Sequence, residues 1–137
     1  MAYKSMRFGD FIRKIRVNDS RELRQADVAE MLGISLSLYS DIENNRRNPF
    51  DHDKMEIFSE CFNLTENDKI RMYDLASRVK HGIPVDLEDV FFYEEVGDMA
   101  RIALREFKAG NLEEDDWKQL IRKAEENKSR RKGGEQA

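Results

Sequence analysis

Residues 25–42, "QADVAEMLGISLSLYSDI", constrain the fold more than any other stretch of this chain. Val28, Ala29 and Leu32 recur at helical spacing before Gly33, and Tyr39 and Ile42 do so after it. A glycine in that position can take the left-handed conformation that ends a helix, because it has no Cβ to clash. Ser35 then offers a side-chain acceptor to start the next helix. The pattern predicts helices over about 25–32 and 36–44. The second is stopped by Asn45, after glycine the residue best suited to the left-handed position, and Pro49 prevents any continuation.

Two short helices locked across a tight turn have three requirements. A small residue must stand where they cross, which Ala29 satisfies. A residue tolerant of positive φ must make the turn, which is Gly33. Apolar side chains must hold the pair together, and Val28, Leu32, Ile34, Tyr39 and Ile42 fill those positions. A match across eighteen positions is far more specific than a lone glycine or serine.

The stretch "RQADVAEMLGISLSLYSDIENNRRNP" resembles the lambda-repressor-like, Xre-type helix-turn-helix family, with its Gln, Gly, Ser, Ile-Glu and basic-Asn-Pro pattern. The resemblance extends over about residues 7–80. It implies an all-α, five-helix DNA-binding domain that inserts its third helix into the major groove of double-stranded DNA, usually as a homodimer on a two-fold site, to regulate transcription.

Residue roles follow from the resemblance position by position. Gln25 matches a phosphate-contacting glutamine at a helix N-terminus, where free N–H groups and the helix dipole also favour an anion. Arg24 replaces the usual Ser or Thr cap, which removes an acceptor but adds a charge that can reach phosphate. Ser35, Asn44, Arg46 and Arg47 match positions that embrace the DNA backbone. Base reading falls to Leu36, Ser37, Ser40 and Asp41: the leucine for a thymine methyl, the serines for several base edges and the aspartate for cytosine N4. None of these makes the bidentate Arg or Gln contact that discriminates most strongly, so the expectation is either modest specificity or specificity assisted by DNA shape. Glu43 would repel phosphate if it pointed outward. In the family it pairs with an arginine of the first helix, and Arg16 is the matching residue, which predicts a largely buried ion pair.

Helical periodicity covers much of the remainder. Phe8, Phe11, Ile12 and Ile15 predict a helix over about 6–18, and others are expected over about 51–62, 66–80, 98–109 and 113–128. Thr65 with Asp68 is a capping-box signal for the helix carrying Ile70, Tyr73, Ala76 and Val79. "VDLEDVFFYEEV" has no clean period. Residues 5–80 thus form the DNA-binding domain, 81–128 a helical extension, and 129–137 a disordered tail.

Composition narrows the function. Of 137 residues 38% are charged and the net charge is -4, which alone argues against a nucleic-acid binder. The acidity, however, is concentrated in residues 51–97, with five Lys/Arg against twelve Asp/Glu, while residues 1–50 carry nine against seven. Local positive charge governs contacts made within a screening length of about 8 to 10 Å. No apolar run approaches the roughly 20 residues of a bilayer span and no secretory signal opens the chain, so a cytoplasmic protein with no membrane association is expected.

Cys61 is the single cysteine and is expected in the core beside Met55, Phe58 and Phe62; His52 and His81 are expected in solvent. No catalytic constellation, metal cluster or cofactor motif is present, so no enzyme is expected.

The extension reads as a helical hairpin with Trp117, Phe107, Phe91 and Phe92 as plausible contact residues. It is expected to dimerise, with a protein partner as the other use. A rival reading follows, in which the chain is an antitoxin or adaptor that mainly binds protein, Leu36 and Leu38 forming an apolar surface and DNA binding being autoregulatory or lost.

Overall fold

The computed structural model describes residues 6–136, with side chains through Gly133. Eight α-helices and no strand occur among the described residues. They are α1 (Phe8–Asn18), α2 (Gln25–Leu32), α3 (Leu36–Glu43), α4 (His52–Cys61), α5 (Glu66–Lys80), α6 (Glu88–Tyr93), α7 (Glu95–Lys108) and α8 (Glu114–Gln136), with a 3₁₀ turn at Val85–Leu87. The chain divides into two compact units, Met1–Glu88 and Asp89–Ala137.

Local chemistry sets the helix ends of the first unit. Ser35 Oγ accepts the Leu38 N–H at 3.1 Å, Asp51 Oδ1 accepts the Lys54 N–H at 3.0 Å, and Thr65 Oγ1 accepts the Asp68 N–H at 3.1 Å. Arg24 has no acceptor to offer. Asp27, three residues on, compensates by accepting the Arg24 backbone N–H at 2.7 Å. Gly33 ends α2 at φ +68°, with the Ile34 N–H bonded back to the Ala29 carbonyl at 3.0 Å. Asn45 follows α3 at φ +61°, and the Arg46 N–H closes on the Asp41 carbonyl at 2.8 Å.

One core serves the first unit. Phe8, Phe11 and Ile12 from α1, Val28, Ala29 and Leu32 from α2, and Tyr39 and Ile42 from α3 are buried together. Phe50, with Met55 and Phe58 from α4, completes it against α5. Edge and tilted ring contacts run from Phe8 through Phe50 and Phe58 to Phe62, at centroid separations of 4.6 to 5.8 Å.

Several expectations are corrected here. The buried face of α5 is Met72, Tyr73, Leu75 and Ala76, whereas Ile70 and Val79 lie 47% and 40% exposed. The observed stripe places two adjacent pairs on the core side, which leaves the ends of the expected one facing outward. Cys61 is half-buried rather than core, because Met55, Phe58 and Ser59 occupy the inner face of α4. Beyond α5, Val85 packs on the same core and the 3₁₀ turn lies against α5, within the compact unit that runs to Glu88.

The second unit contains α7, α8 and most of α6. Arg101 Nη1 donates to the Phe91 carbonyl at 2.6 Å and its guanidinium stacks 4.9 Å over the Phe91 ring. Phe107 meets Trp117 edge-on at 6.3 Å across the α7–α8 turn. The final helix continues to Gln136, through residues 129–136 where a disordered tail is expected; Ala137 lies outside the described residues. Arg130, Arg131 and Lys132 lie in that terminal stretch, ahead of a last turn that carries no basic residue.

Candidate nucleic-acid interface

Helix α3 is held by one face and open on the other. Tyr39, Ile42 and Glu43 are buried, and Leu38 packs on the core as a half-buried neighbour. Ser37, Ser40, Asp41 and Asn44 follow the opposite face at helical spacing. Ser37 and Asn44 are exposed, Ser40 and Asp41 half-exposed, and Leu36 is 51% exposed at the N-terminal end. Asn44 Nδ2 stands 3.4 Å from Ser40 Oγ. The two leucines do not form one apolar surface, because Leu38 turns to the core while Leu36 faces solvent.

Behind this face lies a charged lock. Arg16 Nε donates to Glu43 Oε2 at 3.0 Å and Arg16 Nη2 to Glu43 Oε1 at 2.7 Å, a bidentate pair between α1 and the last turn of α3. Arg16 Nη1 also donates to the Leu23 carbonyl at 3.1 Å, which ties in the segment before α2. Gln25 Nε2 donates to Glu43 Oε1 at 3.1 Å. The Glu43 side chain is 1% exposed. Burial alone would push its carboxyl up; the hydrogen bonds from Arg16 and Gln25, with the Arg16 charge, outweigh that and hold it below the ordinary carboxylate value. Burial first, and the Glu43 charge second, push the Tyr39 phenol far above its usual value.

The structure thus divides the expected contact residues. Gln25, expected at phosphate, directs one amide N–H inward to Glu43, and its other donor position remains for an external acceptor. Arg24 is exposed and pairs with Asp27 at 3.1 Å. Ser35 spends its oxygen as the α3 cap while its hydroxyl hydrogen is free to donate. Arg46 and Arg47 are exposed immediately after α3.

Three residues outside the expected set shape this surface. Asn45 Oδ1 accepts the Gly9 N–H at 2.9 Å, and its Nδ2 donates to Asp10 Oδ1 at 3.0 Å. Gly9 permits that approach, for a Cβ there would lie 2.5 Å from the Ile42 carbonyl and 2.6 Å from Asn45 Oδ1. Arg7, 67% exposed, shares with Arg47 the rim of a hollow of about 230 Å³ at the foot of α3. The sequence carried a sign of the Asn45 role in its backbone preference. Gly9 carried none, because a close approach between distant segments leaves no local pattern.

Residues 12–49 match the helix-turn-helix family model. This part of the chain is a helix-turn-helix domain of the Xre-type, lambda-repressor-like kind, in an all-α protein whose further helices follow it. A domain of this kind is a DNA-binding one, of a family that is typically not enzymatic. No curated protein and no solved structure matches the chain significantly. Among the described residues no group of three or more His, Cys, Asp or Glu is placed to hold a metal ion, and no helix is long and apolar enough to cross a membrane.

Proposed function

We propose that the chain is a sequence-specific transcriptional regulator of the cytoplasm, acting as a repressor, which binds a two-fold operator as a homodimer. The observation that carries this reading is the two-sided character of α3: one face is locked by Tyr39, Ile42 and the Arg16–Glu43 pair, and the other carries Ser37, Ser40, Asp41 and Asn44 toward solvent. A rigid rod with one polar face is what entry into a major groove requires.

In this reading Leu36, Ser37, Ser40 and Asp41 meet base edges, while Gln25, Ser35, Asn44, Arg46 and Arg47 hold phosphates. Arg24 joins them when its pairing with Asp27 opens. Arg7 extends the phosphate contacts beyond those the family pattern assigns, because it flanks the same hollow as Arg47. The half-exposed Asp41 favours a cytosine opposite it and disfavours close phosphates. Repression follows if the operator overlaps a promoter, where a bound dimer excludes polymerase.

Selection of bound fragments from random duplex DNA, followed by footprinting, tests the reading. A two-fold symmetric consensus is expected, with half-sites one or more helical turns apart. Failure to enrich any sequence at low ionic strength overturns it.

A further inference from the structure

Seven large apolar side chains of α7 and α8 stand 45 to 61% exposed: Val96, Met99, Ile102, Leu104, Phe107, Leu120 and Ile121. One side of α7 is taken, with Gly97 against the Phe91 carbonyl and Arg101 bonded to it. At about 100° per residue, Met99, Ala103 and Phe107 fall on the other side. Within α7 and α8 the one buried residue is Gly97, so the described residues of this unit hold no buried apolar side chain there. A helical pair with such a face is stabilised by covering it.

Charge on α8 says what covers it. Glu113 and Glu114 stand at its start, Trp117, Leu120, Ile121 and Ala124 follow, and Lys128, Arg131 and Lys132 come last. At helical spacing all nine lie in one stripe about 120° wide. The stripe is therefore acidic, then apolar, then basic. Glu114 has one loose, exposed contact with Lys118 at 3.8 Å, which leaves its charge available.

We propose that this face pairs with the same face of a second copy, α8 running antiparallel to its counterpart about a two-fold axis between Arg122 and Lys123. That register sets Ile121 against Ala124 of the second copy and Trp117 beside its Lys128. Glu113 and Glu114 come beside Lys132 and Arg131 of the second copy. Every pairing occurs twice by symmetry, and the α7 faces close over the same apolar centre. A parallel arrangement would put like charges opposite one another at both ends, and a partner of a single charge sign would match only one end.

The inference gives the proposed homodimer its surface. It is tested without DNA, so its failure and the failure of the groove reading are distinguishable. Light scattering on the full chain is expected to give twice the 16.2 kDa chain mass at micromolar concentration. A chain carrying Glu113→Lys and Glu114→Lys, and a second carrying Arg131→Glu and Lys132→Glu, are each expected to dimerise roughly tenfold or more weakly. Mixed in equal amounts, the two restore the dimer as a heterodimer, because every end is then complementary. Recovery on mixing also shows that neither variant is merely misfolded. A monomeric parent, two variants that dimerise like the parent, or a mixture that stays monomeric would each overturn the proposal.

Discussion

At the scale of the residue, the Arg16–Glu43 pair makes the sharpest energetic statement. With the Glu43 side chain 1% exposed, Arg16→Ala leaves a carboxylate buried without its bidentate partner. A loss on the order of 3 to 5 kcal/mol is expected, a drop of roughly 15 °C or more in Tm for a domain of this size. Calorimetry that places the variant within a degree of the parent refutes the assignment. The pH dependence has a definite sign. The Glu43 carboxyl is held below its ordinary value, so its contribution is present above the unfolded value near 4.5 and fades as pH falls through the lower folded value. Glu43→Gln is therefore expected to melt well below the parent at pH 7 and close to it under strongly acidic conditions, a convergence that thermal scans across pH measure directly. Gly9→Ala is a second residue-scale test. A Cβ there meets the carbonyls of Glu43 and Ile42, and these backbone atoms cannot move without shifting α3. Destabilisation of about 2 kcal/mol is expected in denaturant titration, against about 1 kcal/mol for Gly33→Ala, where space is open and the strain is only that of φ +68°.

At the scale of the element, α2 and α3 were legible because their signals are local. A periodic apolar stripe, a glycine stop and a serine cap lie within eighteen residues, and the helix ends fall where those signals place them. The roles of side chains on these helices were less legible. Gln25 bonding to Glu43 depends on a meeting of residues eighteen apart, and Asn45 bonding to Gly9 on one thirty-six apart. The six-residue α6 was hidden for another reason: its apolar residues Val90, Phe91 and Phe92 are consecutive and give no period. DNA affinity belongs to this scale as well. Replacing both Arg46 and Arg47 by alanine is expected to weaken binding to all duplexes alike and to make the dependence of log affinity on log salt shallower by about 2. Anisotropy titrations over a salt series read that slope, and an unchanged slope removes these arginines from the phosphate contacts.

At the scale of the whole molecule, every buried apolar core residue of the described chain lies in the first unit, from Phe8 to Ala76, with Val85 packed against it. A chain ending at Glu88 is expected to melt cooperatively within a few degrees of the full chain and to run as a monomer. Its affinity for a two-fold operator is expected to fall by at least tenfold, because the second half-site no longer gains from a linked first one. Cooperative melting lost on truncation would mean that the second unit contributes to the core.

By itself, the order of residues determined what near neighbours can decide: helix periods, caps, the turn at Gly33 and the apolar and polar faces of α3. Those signals act over one or two helical turns and survive without any knowledge of the rest of the chain. Tertiary structure alone decided which polar groups meet. Gly9 gives way to Asn45, Gln25 turns inward to Glu43, Cys61 yields the core to its neighbours, and Val85, beyond the end of α5, packs on that core. Each of these depends on the distance of approach between packed elements, and close packing, unlike periodicity, leaves no repeating trace in the order of residues.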